Sequence, residues 1–276
     1  MNESLWPAEQ QRKAVFHMLP FNGMAFLLAN QPFCELFSLA FKQREKLEGP
    51  LESQLDLLSE KMRDFESSEE YEEQSFCMRP MFDRYATISM TQEFTRRVMA
   101  VLEDRQETSS YFEPPLFHLL RQSEEILYKL RQEKDRPGAQ AQCAVKAFYG
   151  RLYVIGNDSF CDNFVAIASS RRKTNGSFEE DLNSLVATLE YSDQEPDAEE
   201  QFFDTFDVQF LGDDNACIGL TSEFAKRVVR VVVDRKYEFN DLSPIMVRLM
   251  GDMEDQLFQL RTYREQKQNR GDWSEE

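Results

Sequence analysis

The sequence predicts a helix-rich α+β protein that contains two copies of a folding unit of about 130 residues. Residues 91–105 and 221–235 are identical at eight of fifteen positions, at an offset of 130. Matches at an offset of 127 include Gly23 with Gly150 and Asn30 with Asn157. Each copy also has the same order of short apolar runs and longer stretches with helical spacing. We therefore expect a tandem duplication, with a first domain at 1–134 and a second at 135–276.

Each copy is expected to open with a helix followed by a buried strand. A proline stands near the first turn of the opening segment in both copies, where helices tolerate it. The run that follows is short and continuously apolar, which is typical of a buried strand. The expected ranges are 8–18 and 138–148 for the helix, and 24–29 and 151–155 for the strand.

A helical hairpin is predicted next. Asn30 and Asn157 precede stretches whose phenylalanines keep a helical period, and Gly49 and Gly176 are expected to end that helix. A second helix follows, with an apolar stripe in each copy. The stripes are Leu51, Leu55, Leu58 and Met62, and Phe178, Leu182, Leu185 and Leu189.

The second half of each copy predicts a β-hairpin and two closing helices. Strands at 206–210 and 216–220 flank a turn-forming segment, and 76–82 with 85–90 are the equivalent pair. Together with the earlier strand they form a small antiparallel sheet. Thr91 and Thr221 are expected to cap the first closing helix. The last helix runs from Pro114 to about 133 and from Pro244 to about 266, and its nearly heptad spacing allows a homo-oligomer through these helices.

Charged residues that recur in both copies are expected to be structural. Glu93 and Arg97 lie four residues apart, as do Glu223 and Arg227, so each pair is predicted to form a salt bridge along its helix. The pairs Asp104-Arg105 and Asp234-Arg235 come at the end of the same helices.

Composition narrows the function classes. Thirty-two basic residues against fifty acidic ones give a net charge of −18 and a pI near 4.7. Such a surface repels phosphate backbones, so direct nucleic-acid binding is not expected. No segment has the length and apolarity of a membrane span. Five cysteines without a close pair predict reduced thiols and a cytoplasmic or nuclear location.

Catalytic motifs are missing from the sequence. It contains no Gly-rich phosphate-binding motif and no nucleophile elbow. His17 and His118 are the only histidines, and Arg248 stands at the position equivalent to His118. We therefore expect no enzymatic activity, no catalytic residues, no metal site and no cofactor.

One short segment in each copy resembles a known family. Leu152-Tyr-Val-Ile-Gly-Asn157 followed by Phe160, and Ala25-Phe-Leu-Leu-Ala-Asn30 followed by Phe33, are similar to the strand, asparagine and Phe-containing helix of PAS sensor domains. The likeness covers about fifteen residues per copy, and the long closing helices are not part of that family's core. It implies a tandem ligand-sensing module.

The preferred interpretation is an acidic adaptor or escort protein, built as a pseudo-twofold fused dimer, that binds a basic protein partner. Acidic tracts at 66–73 and 192–200 are expected to be exposed loops that meet this partner. The residues proposed for that contact are Glu69, Glu70, Glu72, Glu73, Asp197, Glu199 and Glu200. Two alternatives stay open: the PAS-like sensing module, and an acidic decoy that occupies the site of a DNA-binding protein.

Overall fold

The computed structural model divides the chain into two compact units, Met1–Pro137 (unit 1) and Gly138–Glu276 (unit 2). It describes residues 13–44, 46, 49–64, 71–73, 75–81, 85–108, 112–133, 140–173, 175–190, 204–211, 215–239 and 243–269.

Unit 1 is an α+β domain with a helix pair inserted between two strand pairs. Its elements are, in order, β1 (Phe16–Phe21), β2 (Met24–Asn30), α1 (Gln31–Lys42), α2 (Pro50–Arg63), β3 (Tyr71–Glu72), β4 (Phe76–Met81), β5 (Tyr85–Met90), α3 (Gln92–Thr108) and α4 (Pro114–Glu133).

Unit 2 has the same order of elements without a counterpart of β3 among its described residues. They are β6 (Cys143–Phe148), β7 (Arg151–Asn157), α5 (Asp158–Ser169), α6 (Ser177–Glu190), β8 (Phe206–Phe210), β9 (Asn215–Thr221), α7 (Ser222–Phe239) and α8 (Pro244–Asn269). The predicted α+β class, with its antiparallel sheets, is confirmed.

The two sheets have the same strand order and the same register. Unit 1 has the order β1-β2-β5-β4-β3 and unit 2 the order β6-β7-β9-β8, with every pair antiparallel. Phe16 pairs with Ala29, and Cys143 pairs with Gly156, 127 residues further along. Likewise, the pair Phe76 and Met90 in unit 1 corresponds to Phe206 and Leu220 in unit 2, 130 residues further along.

The predicted opening helix is wrong, because the described part of that segment forms the edge strand β1 or β6. Asn22 (φ 46°) and Gly23 (φ 79°) connect β1 to β2, and Tyr149 (φ 48°) and Gly150 (φ 74°) connect β6 to β7. Two successive residues with positive φ make the turn that fits the twist of a two-residue hairpin. The dipeptide Asn22-Gly23 is the sequence signal of such a hairpin.

The predicted helical hairpin is present, but the glycine expected at the end of its first helix lies at the start of its second helix. Helices α1 and α2 pack against each other, as do α5 and α6. Gly49 (φ 148°) is the N-cap of α2, seven residues after α1 ends at Lys42. Gly176 (φ 112°) likewise directly precedes α6. These backbone angles favour glycine, so the residue marks the entry of the second helix and not the end of the first.

Each unit encloses its own hydrophobic core. The core of unit 1 gathers buried side chains from β1, β2, β4, β5 and its four helices. The core of unit 2 is built from the equivalent strands and helices. In both, the last helix packs along the edge strand, α4 on β1 and α8 on β6. One side of α4 and of α8 is therefore committed to the core.

Candidate functional site

Most of the acidic residues predicted to bind a partner lie outside the described residues. These are Glu69, Glu70, Asp197, Glu199 and Glu200. Glu72 belongs to β3, although its side chain is outside the description. Glu73 is half-buried, and its backbone N–H donates to the carbonyl oxygen of Phe76 at 2.9 Å.

The predicted salt bridge between Glu93 and Arg97 is not the contact that forms. Glu93 is exposed in the first turn of α3, and Arg97 instead donates to the carboxylate of Glu52 on α2, with Nε at 2.6 Å from Oε1. Arg97 therefore joins the helical hairpin of unit 1 to its first closing helix. The side-chain length of arginine allows this longer contact, which sequence spacing does not reveal.

In unit 2 the equivalent prediction is also wrong. The guanidinium of Arg227 lies 3.9 Å from the centre of the Phe178 ring on α6, a cation–π contact. Glu223 pairs with Lys226, at 2.5 Å. Leu51 stands in unit 1 where unit 2 has Phe178. Because a leucine offers no ring, the arginine of unit 1 takes the neighbouring carboxylate instead.

The other repeated charged residues are distributed differently between the units. Arg105 donates to Glu113 at 3.3 Å, so it joins the end of α3 to the start of α4. Asp104 and Asp234 are exposed on their helices, and Arg235 is half-buried.

Sequence reasoning missed a buried arginine that recurs in both units. Arg44 donates to Glu52 at 3.2 Å and to Asp56 at 2.9 Å. At an offset of 127, Arg171 donates to Glu179 at 2.5 Å and to Asn183 at 2.7 Å. Burial acts to raise the pKa of Asp56, but hydrogen bonds from Lys46 and Arg44 hold it below its usual value.

This arginine is structural, because the side chains that it contacts lie within its own unit. Its head group also donates to a carbonyl oxygen at the end of the preceding helix, that of Phe41 for Arg44 and that of Ala168 for Arg171. It thereby adds a hydrogen bond to a carbonyl group at a helix end, where intrahelical donors are missing. The signal that could have found it is the exact offset of 127 between Arg44 and Arg171 and between Glu52 and Glu179.

Metal and redox chemistry find no support among the described residues. No group of three or more His, Cys, Asp or Glu side chains in this part of the chain could hold a metal ion. All five cysteines are buried, and none of them forms a disulfide. Burial raises the pKa of the Cys143 and Cys161 thiols to about 12 in each case. Such thiols are protonated at neutral pH and are poor nucleophiles.

A surface cavity of about 470 Å³ lies between α7 and α8. Phe258 is 67 % exposed at its rim, although another side of α8 packs on the core. We call the lining the unit 2 patch; it consists of Lys226, Val229, Glu254, Asp255, Leu257, Phe258 and Arg261. An exposed aromatic side chain among mixed charges is the usual composition of a protein-binding surface.

The equivalent positions of unit 1 carry the same kinds of side chain. At an offset of 130 they are Arg96, Met99, Glu124, Glu125, Leu127, Tyr128 and Arg131, which we call the unit 1 patch. Tyr128 is 64 % exposed, the leucine is buried in both patches, and the charged positions are exposed in both. Both units therefore present an aromatic side chain to solvent at the same point of the last helix.

Comparison of the chain with protein-family models, curated proteins and solved structures found no match. Within the described residues, no helix combines the length and the apolarity that crossing a membrane requires.

Proposed function

We propose that this protein is a non-enzymatic adaptor that binds a basic protein partner, with Tyr128 on unit 1 as the anchor. The observation that carries the proposal is the exposed aromatic residue at the same position in both units, with the same charged neighbours. A partner that covers such an aromatic side chain gains the free energy of burying its ring. Aromatic residues also dominate the binding energy of many interfaces.

Charge favours unit 1 as the site of a basic partner. Helices α3 and α4 carry seven acidic and six basic residues, whereas α7 and α8 carry seven acidic and nine basic ones. Glu124 and Glu125 are exposed one turn before Tyr128. The net charge of −18 adds a long-range attraction for a basic partner, which acts mainly on the association rate.

The proposal includes an origin of the chain by duplication of one unit. It is supported by the shared strand order, the shared register, and the recurrence of Arg44 and Asn30 at an offset of 127 as Arg171 and Asn157. The five cysteines are buried and none forms a disulfide, which suits a reducing compartment, so we propose a cytoplasmic or nuclear location.

The test compares three forms of the full chain in quantitative affinity capture. Tyr128→Ser removes the anchor, and Leu39→Ser is the matched control, because Leu39 is 51 % exposed on α1, away from the patch. We expect Tyr128→Ser to lower recovery of a basic partner by about tenfold or more, whereas Leu39→Ser retains it. Recovery should also fall as salt is raised, since screening weakens the attraction.

Equal recovery with Tyr128→Ser, or a set of partners that is not basic, would contradict the proposal. The sensing alternative predicts instead a small molecule that stays with the purified protein in native mass spectrometry. The decoy alternative predicts that DNA competes with this chain for one basic protein.

A further inference from the structure

The outer face of α8 in unit 2 carries a glycine that its own unit does not require. Gly251 lies inside the helix, where glycine is less favourable than alanine by about 1 kcal/mol. A Cβ atom built on Gly251 would have no heavy atom within 4 Å, so no neighbour within the structure demands the small residue. Gly251 therefore lies at a place where another backbone could approach closely.

Gly251 is aligned with two exposed apolar residues. Val247 is 38 % exposed and lies four residues before it, and Phe258 lies seven residues after it. At 3.6 residues per turn these spacings place all three residues in one stripe on the solvent side of α8. We call Val247, Gly251 and Phe258 the outer stripe.

Unit 1 does not have this stripe. Phe117 and Arg121 occupy the positions of Val247 and Gly251, and the guanidinium of Arg121 lies 5.3 Å from the centre of the Phe117 ring. The charged side chain thus covers the apolar one in unit 1. The outer stripe is a feature of unit 2 alone.

We propose that the outer stripe docks against the outer stripe of a second copy of this chain, with the two α8 helices antiparallel. A pair centred between Asp252 and Met253 sets Phe258 of each copy opposite Val247 of the other. The two Gly251 residues then lie near the centre, where the backbones approach most closely. An interface of this kind is isologous, because the same surface serves both copies.

The charges beside the outer stripe are complementary in this arrangement. Arg248 and Asp255 are both exposed and lie on the same flank of the stripe, seven residues apart. In the antiparallel pair, Arg248 of one copy comes within two residues of the level of Asp255 of the other. Arg248 now pairs with Asp252 at 3.5 Å, with both side chains partly exposed, so exchanging that partner costs little.

The local charge also permits two acidic chains to meet here. Helices α7 and α8 are the pair of closing helices with an excess of basic residues, nine against seven. This inference rests on the proposed function only because both use the exposed aromatic residue of a patch. It assigns Phe258 to self-association and leaves Tyr128 for the basic partner.

Sedimentation equilibrium over a range of protein concentrations tests the association. We expect the full chain to form a dimer and Gly251→Arg, which introduces the residue type of unit 1, to be monomeric without a lowered Tm. Arg248→Glu and Asp255→Arg should each weaken the dimer, and the double variant should restore it. The matched control is Glu125→Arg, because Glu125 is the unit 1 equivalent of Asp255. This variant should leave the dimer intact.

Cysteine cross-linking tests the arrangement of the two helices. A mixture of Val247→Cys and Phe258→Cys chains should form a disulfide-linked dimer on mild oxidation faster than either variant alone. A monomer at every concentration, or a dimer unaffected by Gly251→Arg, would overturn the inference. The variants Phe258→Ser and Tyr128→Ser separate the two proposals. If the Phe258→Ser variant is monomeric but still binds the basic partner, both proposals stand. If the Tyr128→Ser variant also still binds that partner, only the proposed function fails.

Discussion

At the scale of single residues, the two units place different side chains at equivalent positions and adjust their packing accordingly. Unit 1 pairs Phe16 with Ala29, and the ring of Phe16 lies 4.6 Å from that of Phe33. Unit 2 pairs Cys143 with Gly156 at the same place, so the aromatic ring of α5 can lie directly over the strand. Glycine is required there by packing and not by backbone angle.

Gly156→Ala should therefore destabilise unit 2. A Cβ atom at this position would lie 2.1 Å from Cδ1 of Phe160, a fully buried ring. Relief of this overlap requires Phe160 or the strand to move, at a cost of about 1–3 kcal/mol in the free energy of unfolding. Urea denaturation measures it. A neutral result for Gly156→Ala would contradict the packing described.

The buried thiols predict a loss of stability at alkaline pH. The pKa of Cys143 and of Cys161 is raised by burial to about 12, whereas the unfolded thiol ionises near 9.0. The folded form is thus favoured fully below the pKa of the unfolded thiol, and this contribution is lost as pH rises towards the folded pKa. The free energy of unfolding should fall from about pH 8 to about pH 10.5, and fall less steeply in the Cys143→Ala/Cys161→Ala double variant. Equal slopes would refute the assignment.

At the scale of elements, one asparagine in each unit ties a strand pair to the helix that follows. Oδ1 of Asn157 accepts from the backbone N–H of Phe160 at 3.1 Å and of Gln142 at 2.9 Å. Its Nδ2 donates to the carbonyl oxygen of Gln140 at 3.0 Å. Asn30 makes the same three bonds, to Phe33, Val15 and Lys13. The residue caps a helix and anchors the start of the edge strand at once.

Asn157→Ala should cost more than the loss of an ordinary helix cap. Besides the cap, worth about 1 kcal/mol, it leaves two backbone groups beside the edge strand without their partners. We expect a loss of roughly 2–4 kcal/mol in the free energy of unfolding, measured by urea denaturation. Thr221→Ala, which removes a cap formed by one bond to Phe224 at 3.3 Å, is the comparison. Equal losses would show that the strand contacts contribute nothing.

At the scale of the whole molecule, the two units divide the chain into separate cores. Every residue of one core lies at or before Leu130, and every residue of the other lies at or after Ala141. The recurring contacts of Arg44 and Arg171 also stay within their own units. Each unit therefore contains the interactions that stabilise it.

The isolated unit 2, residues 138–276, should fold without unit 1. We expect its circular dichroism spectrum to show helix and strand, and its urea unfolding to be a single cooperative transition. An isolated chain without cooperative unfolding would mean that the core of unit 2 depends on the other half.

Much of this fold could be predicted from the sequence where a signal is local. The cap at Thr91, with its bond to the N–H of Phe94 at 3.2 Å, and the hairpin of β8 and β9 follow from residue type and spacing. The edge strand β1 has a weak local signal, because Pro20 lies within it and its six residues lack clear alternation. Asn22-Gly23 outweighs that pattern, since a turn with two positive φ angles fixes the hairpin.

The candidate site is only partly visible in the sequence. The sequence shows that equivalent positions carry matching residues, such as Glu124 with Glu254 and Leu127 with Leu257. It does not show which of these residues are exposed. The last helix of each unit has apolar residues on most of its sides, so its sequence does not show which of them face water. Phe258 is therefore expected in the core until the packing of α8 is known.

That the protein is acidic and α+β, with two similar halves, follows from residue order alone, because charge, turn chemistry and repetition are properties of that order. The pairing of each arginine with a carboxylate, and the exposure of each aromatic side chain, follow from the packing of the folded chain. Those outcomes depend on distances between elements far apart in the chain. Arg97 reaches Glu52 across forty-five positions, and no spacing rule contains that contact.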